Sequence, residues 1–277
     1  MTFHPTYARS TSSAAAASDG AMPIDEIWQA LVNDQLVPYF QPLVEISTRR
    51  VVGAEALARW RHPALGVLSP VTFVPVLEER GMIRELTELI LEKSLYACRD
   101  WLDRGRDIRV SINLALQSLL DDSLPATLEH KVRLSGLQPS QLVLEFAEST
   151  LRKHWEETAP RLAIVREMGF GVAIDEFGIG AGIIQELTRK HFTEIKIDRA
   201  FIHGAGSNKH LRAILEENLQ LGRDQNLYTV AIGVEDAADL MLLAELGCGA
   251  VQGYICSAPL PADGLLQWAE QWENIAL

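Results

Sequence analysis

From residue 169 to residue 198 the chain reads GFGVAIDEFGIGAGIIQELTRKHFTEIKID, and few folds accommodate such a stretch. Val172, Ala173 and Ile174 form an apolar run bounded by Gly171 and too short for a helix, which reads as a buried strand. Two acids, Asp175 and Glu176, then stand on its C-terminal lip. Gly178, Gly180 and Gly182 follow at once, a density that belongs to a loop turning tightly or lying against a ligand. A helical pattern over 183–189 leads to a second short strand at 194–197, and inside it sits a lysine, Lys196. Strand, loop, helix and strand in that order make a βαβ unit with parallel strands.

The flanking sequence repeats this grammar. An amphipathic helix is expected over 23–34, then strands over 37–46 and 50–60, joined by a turn at Ser47 and Thr48 so short that the two must pair antiparallel. Helical spacing over 70–104, interrupted near Gly81, predicts two helices. Further strands at 108–114, 142–146, 228–234 and 250–255 alternate with helices at 160–168, 208–223, 237–246 and 261–272. About eight strands in such alternation predict an α/β fold, a (β/α)8 TIM-like barrel with an irregular antiparallel first strand. A chain of 277 residues suits one barrel of this kind. Residues 1–22, rich in Ser and Ala and without periodicity, read as a flexible leader or linker, leaving 23–277 as the barrel domain.

Composition narrows the partners. With 37 acidic against 25 basic residues the formal charge is -12, which argues against a nucleic-acid polymer or an anionic membrane surface as partner and leaves room for a cation-binding pocket. Cys98, Cys248 and Cys256 are odd in number and lack C-x-x-C spacing, so they read as reduced core thiols rather than a disulfide framework or zinc knuckle. No apolar run approaches the ~18 residues of a membrane span, and the N-terminus has no secretory pattern, so the expected location is the cytoplasm, with no membrane insertion.

In such a barrel, side chains at the C-terminal ends of the strands converge. Glu55, Asn113, Glu145, Asp175, Glu176, Lys196, Glu235 and Gln252 fall at or near successive strand ends. Each also has a bland reading as a cap or an ion pair on a barrel rim. Glu55, a lone acid among apolar neighbours, is either a ligand or a surface glutamate on an edge strand. Arg59 lies four positions on and shares its face, which makes either a simple ion pair or a guanidinium held ready for phosphate. Asn113 either caps the helix expected near Gln117 or offers its carbonyl oxygen to a hard cation. Gathered in one cup, however, these carboxylates repel one another and call for one or two divalent ions. Oxygen ligands without a His or Cys cluster favour Mg²⁺ or Mn²⁺. Such a centre suits in-line attack of water on a phosphodiester, with Lys196 placed to hold the water or to stabilise charge on phosphate.

The motifs themselves carry a resemblance. They are Glu55-Ala56-Leu57 within GAEALARWRHP, the segment SPVTFVPVLEERG, the strand holding Asn113, LVLEF with Glu145, IDEFGIG, KIDRAFI from Lys196, GVE ending at Glu235, and QGYICSAPLP from Gln252. Over about residues 23–272 the chain resembles an EAL domain, the bacterial family of phosphodiesterases and receptors for cyclic di-GMP. That resemblance implies Glu55, Asn113, Glu145 and Asp175 as ligands of a first ion, with Asp175 and Glu176 serving a second. It implies Lys196 as holder of the attacking water and Glu235 as support for the loop after Asp175, so that Glu55, Lys196 and Glu235 form the catalytic group. The resemblance also places Gln41, Leu57, Arg59 and Gln252 at positions where the family contacts the guanine bases and phosphates. Active members release linear pGpG with Mg²⁺ or Mn²⁺, and a homodimer and a protein partner are further expectations by analogy.

Departures from the family pattern set the functional expectation. Where active members carry Glu-Gly-Val-Glu, this chain has Ile232-Gly233-Val234-Glu235, and isoleucine neither binds a cation nor accepts a proton. The usual Asp-Asp pair is Asp175-Glu176, one methylene longer, and about 1 Å of misplacement costs on the order of 100-fold in rate. The loop that follows has lost its hydroxyls, and Ala115 and Ala147 replace a serine and a threonine near Asn113 and Glu145. The expectation is an impaired member, a cyclic di-GMP receptor or protein-interaction module that keeps the first ion site and not the second. The alternative is an active phosphodiesterase.

Overall fold

The short apolar runs of the sequence become the strands of one closed sheet. The computed structural model describes residues 22–178 and 190–274, so the helical pattern over 183–189 and nearly all of the expected leader lie outside the described residues. Strands β1 (Leu36–Glu45) and β2 (Val51–His62) form an antiparallel hairpin, and β3 (Gly66–Leu68) folds back on the far end of β2. Then come β4 (Arg109–Asn113), β5 (Leu142–Ala147), β6 (Gly171–Phe177), β7 (Glu194–Ile197), β8 (Tyr228–Ile232) and β9 (Ala250–Gln252). From β2 through β4 to β9 every neighbour is parallel, and β9 returns to β1 in antiparallel register. The result is an eight-stranded (β/α)8 TIM-like barrel whose first strand is inverted, with β3 outside the ring.

Two prolines show how β1 is fitted. Phe40 donates its N–H to Leu260, away from β2, and Pro38 and Pro42 share that alternation, so their missing donors fall on the side where β1 has no continuous partner. Proline is tolerated only at such edge positions. Pairing with β9 accordingly involves just Val44 with Val251 and Glu45 with Ala250.

Helix α1 (Ile24–Val32) precedes the ring. Helices α2 (Val74–Glu79) and α3 (Ile83–Asp103) follow β3, and α4 (Leu116–Leu119) and α5 (Leu124–Leu134) follow β4. Then α6 (Glu148–Lys153) and α7 (Trp155–Glu167) follow β5, α8 (Arg199–Ile202) and α9 (Lys209–Gln225) follow β7, α10 (Ala237–Glu245) follows β8 and α11 (Ala262–Asn274) follows β9. Alternate strand residues such as Val110, Ile112, Leu144, Val172, Ile174 and Ile195 face this helical layer and are fully buried. Each such side chain contributes about 1.5–3 kcal/mol by leaving water. Inside the ring, Leu43, Val230 and Ala250 form a small separate apolar plug, and the buried Glu194 pairs with Arg109, whose guanidinium lies 5.7 Å from the Tyr228 ring centre. No helix among the described residues is long and apolar enough to cross a membrane.

Two boundaries differ from expectation. The last strand stops at Gln252 rather than 255, because the chain at Gly253 presses on Val234 so closely that a Cβ would lie 2.1 Å from its carbonyl oxygen. The helix expected to begin at Pro160 begins at Trp155, with the proline inside it. Five helical residues precede the proline, and the helix runs on through it with the loss of one backbone hydrogen bond near its start.

Candidate functional site

The acids converge because each strand stops, or leaves its neighbour, at the same rim. Strand β2 pairs with β4 only from Gly53 to Ala56, so Glu55 stands at the ring's edge although its strand runs on to His62. In β6 the register slips between Ile174 and Phe177, and Glu176 takes a left-handed φ of 56°. This bulge leaves Asp175 buried, its Oδ1 accepting the Glu176 N–H at 2.9 Å.

Lys196 is the hub. It is 0% exposed, its Nζ lies 2.7 Å from Glu55 Oε2, and it forms a second ion pair with Glu145 Oε1. Glu55 also accepts from Gln252 Nε2 at 2.7 Å and from Asn113 Nδ2 at 2.8 Å. Asn113 is not the cap of α4, which has Ala115 at its N-cap and no side-chain cap bond, and its amide turns inward to Glu55. Gln252 further donates to Gln41 Oε1 at 3.1 Å, and Gln41 donates to the Ser257 carbonyl at 3.2 Å, so two amides extend the cluster across the join of β9 and β1. Glu55 commits its oxygens to Lys196, Gln252 and Asn113, while the buried Arg59 donates to the Ala58 carbonyl at 2.8 Å. Leu57 is half-buried opposite Tyr39.

Charge in this small volume separates the acids. Burial works to raise the Glu55 pKa, but the Lys196 charge and three hydrogen bonds hold it below the ordinary range. Burial, reinforced by the Glu55 charge, pushes Glu145 up to about 8. Burial likewise lifts Asp175 to about 7, with Lys196 opposing and Glu55 adding to the rise. Burial disfavours the Lys196 ammonium, yet the charges of Glu145, Glu55 and Asp175 outweigh it and raise its pKa. Burial lowers that of Arg59.

The donor set fits a hard divalent cation. Glu55, Glu145 and Asn113 gather round Lys196, with Asp175 near enough to feel its charge, and oxygen donors without a sulfur or imidazole ligand suit Mg²⁺ or Mn²⁺. Glu145 Oε2 is wholly buried and accepts no hydrogen bond among the described residues, an electron-rich atom that a cation would satisfy. A cleft of about 690 Å³ opens from Asn113, Ala115 and Ala147 and runs away from the acids between α3 and α5.

Three sequence expectations need correcting or completing. Glu235 does not join the cluster: Gly233, at φ 70°, turns the chain outward and Glu235 pairs with Arg199 at the surface. The Gly178 N–H is held by Glu148, to which the sequence reading gave no role, and the loop over 179–189 that Glu235 was expected to support lies outside the described residues. Glu148 is buried and accepts the Gly178 N–H at 3.1 Å. The signal lay in its place three residues after Glu145, where it reads equally as an acid opening a helix. Ile232 sits directly opposite Gln252 in the ladder of β8 and β9, so its apolar side chain stands on the inward face.

The family model for the EAL domain matches residues 24–259. Among curated relatives, the bifunctional diguanylate cyclase/cyclic di-GMP phosphodiesterase MucR of Pseudomonas aeruginosa is 35% identical over 253 residues, 91% of this chain and 37% of MucR. The oxygen sensor protein DosP of Escherichia coli is 33% identical over 243 residues, 87% of this chain and 30% of DosP. The chain thus spans about a third of the length of these relatives. Among solved structures, a PaMucR phosphodiesterase in complex with c-di-GMP superposes with a TM-score of 0.82 at 35% identity, covering 87% of this chain and 98% of that one. The FimX EAL domain of Pseudomonas aeruginosa bound to c-di-GMP, at 22% identity, shares the fold with a TM-score of 0.77, covering 86% of this chain and 96% of that one. On the match over 24–259 and the shared fold, the chain belongs to the EAL domain family.

Proposed function

We propose that this EAL domain acts in cyclic di-GMP signalling as a receptor or protein-interaction module that binds the dinucleotide and hydrolyses it poorly. The observation that carries this reading is Ile232 on the inward face beside Gln252, where an acid is needed for a second ion, while the first set of oxygen ligands remains gathered. Glu55, Asn113, Glu145 and Asp175 would hold one Mg²⁺ or Mn²⁺. When bound, that ion neutralises the carboxylates and polarises a phosphodiester oxygen. Gln41 and Gln252 present amides to a guanine edge, Leu57 presents apolar surface to the base, and the Arg59 guanidinium is suited to phosphate. Lys196 fixes the orientation of Glu55 and Glu145 and is placed to hold a water among these acids. Glu176, on its longer side chain and in a strained backbone conformation, is a poor second-ion ligand. The domain works in the cytoplasm, as the module 23–277, with a protein partner or a second copy of itself.

A second reading, active hydrolysis to pGpG, is favoured by the intact contacts among Lys196, Glu55 and Glu145 and by the 35% identity to a phosphodiesterase. Incubation of the purified chain with cyclic di-GMP and Mn²⁺ separates the two. Saturable binding by calorimetry with little or no pGpG supports the receptor, and pGpG at an ordinary enzymatic rate overturns it.

A further inference from the structure

Away from the acid cluster, three metal-ligating side chains meet between the segments that follow β7 and β8. His203 lies at the end of α8, Asp236 caps α10, and Asp239 lies in the first turn of α10. His203 Nδ1 is 3.2 Å from Asp239 Oδ2 and 3.5 Å from Asp236 Oδ2, and one ligand atom from each residue lies within 4.8 Å of the other two.

The carboxylates are held in place from behind. Asp236 Oδ1 accepts the Asp239 N–H at 2.9 Å, and Asp239 Oδ1 accepts the Gly204 N–H at 3.3 Å, which leaves both Oδ2 atoms facing the imidazole. Outer hydrogen bonds orient metal ligands in this way.

An ordinary ion pair explains the cluster less well. Two carboxylates face one imidazole, and among the described residues no Lys or Arg pairs with either, the neighbouring Arg199 being engaged by Glu235. Charge-assisted hydrogen bonds draw in to about 2.7–2.9 Å, and neither contact does so. Ligands about 2.0–2.1 Å from a tetrahedral Zn²⁺ stand roughly 3.3–3.4 Å apart, and the two observed spacings straddle that edge.

We propose that His203, Asp236 and Asp239 form a binding site for a zinc-class divalent ion, distinct from the acid cluster and sharing no residue with it. One nitrogen and two carboxylate oxygens suit Zn²⁺ over Mg²⁺, and the fourth position opens to solvent because the His203 side chain is 60% exposed. The ion ties the segment after Lys196 to the segment after Ile232, so its occupancy stiffens the rim from outside. This assignment is independent of whether the domain binds or cuts a dinucleotide.

Zinc titration by calorimetry on the whole chain, with Mg²⁺ in large excess to fill the acid cluster, tests it. Asp236→Ser removes a ligand yet retains an N-cap side chain, and His203→Gln removes the nitrogen without touching a buried group. The expected result is one Zn²⁺ equivalent in the parent, at least ~10-fold weaker binding in each variant with unchanged circular dichroism, and a tetrahedral Co²⁺ absorption band seen only in the parent. Absence of saturable Zn²⁺ binding under Mg²⁺, or binding that persists unchanged in both variants, overturns the proposal.

Discussion

Ile232 stands directly across the ladder from Gln252, on the face from which Gln252 reaches Glu55 at 2.7 Å. An acid placed here enters the cup without moving the backbone. Ile232→Glu, alone or with Glu176→Asp, should add a second Mn²⁺ equivalent by calorimetry and raise pGpG release on the order of tenfold or more. Failure of the double variant to gain either property would show that the altered loop after Glu176 blocks the site.

The left-handed backbone at Glu176, φ 56°, is strain that a carboxylate on a longer stem does nothing to relieve. Glycine adopts this conformation freely and also removes one negative charge from the crowd around Asp175. Glu176→Gly should stabilise the chain by about 0.5–1 kcal/mol, which for a domain of this size is a rise in Tm of roughly 1–4 °C. A fall in Tm would mean that the Glu176 side chain makes a contact worth more than the strain.

Lys196 is wholly buried between Glu55 and Glu145. Removing one partner of such a cluster leaves the others uncompensated, so Lys196→Met should cost about 3–5 kcal/mol in EDTA by urea denaturation. Mn²⁺ should recover a large part of that loss, since it brings charge to the same oxygens. Equal stability of parent and variant in EDTA would contradict the hub role.

The raised carboxyls tie cation uptake to pH. Asp175 and Glu145 have ordinary values of 3.8 and 4.5 and folded values of about 7 and about 8. Across that interval the folded chain keeps protons that the unfolded chain has released. The stability from this source is therefore full below about pH 4 and is lost as pH rises through 7 to 8. In EDTA, Tm should fall from pH 5 to 8.5, and Mn²⁺ affinity should rise over the same range with release of protons. Calorimetry in two buffers of different ionisation heat reads the proton release directly, and a pH-independent Mn²⁺ affinity would refute the link.

Glu148 and Glu235 make a paired comparison. Glu148 is buried against the Gly178 N–H, whereas Glu235 meets Arg199 in solvent. Glu148→Ala should weaken Mn²⁺ binding through Asp175 and lower stability by about 1–3 kcal/mol, while Glu235→Ala should change stability by less than about 1 kcal/mol. Reversed effects would mean that Glu235, and not Glu148, bears on the ion site.

Much of this was legible in the sequence, for identifiable reasons. Asp175, Glu145 and Lys196 interrupt apolar runs, and a charge that the chain buries must find a partner, so their convergence follows once the strands do. Asn113 was ambiguous because capping a helix and holding a cation both call on its carbonyl oxygen, and the start of α4 at Leu116 removes the cap. Glu148 was hidden because an acid at the first position of a helix looks like ordinary helix chemistry, and its partner is thirty residues away in Gly178. Glu235 stands away from the acids because strand β8 ends three residues before it, at a turn where Gly233 takes a positive φ. His203 and Asp239 lie thirty-six residues apart, and no local periodicity brings them together.

The sparse pairing between β1 and β9 gives the ring a seam. Among the described residues its backbone fastening is two ladder pairs, the Ile46 N–H to the Gly249 carbonyl and the Phe40–Leu260 bridge, and Pro38 and Pro42 lack the N–H donors for more on that side. Amide hydrogens on either side of the seam should be the first in the sheet to exchange with solvent. Gln41 and Gln252 face each other across it at 3.1 Å, so a molecule gripping both would work as a buckle, drawing the two ends of the chain's sheet into a hoop.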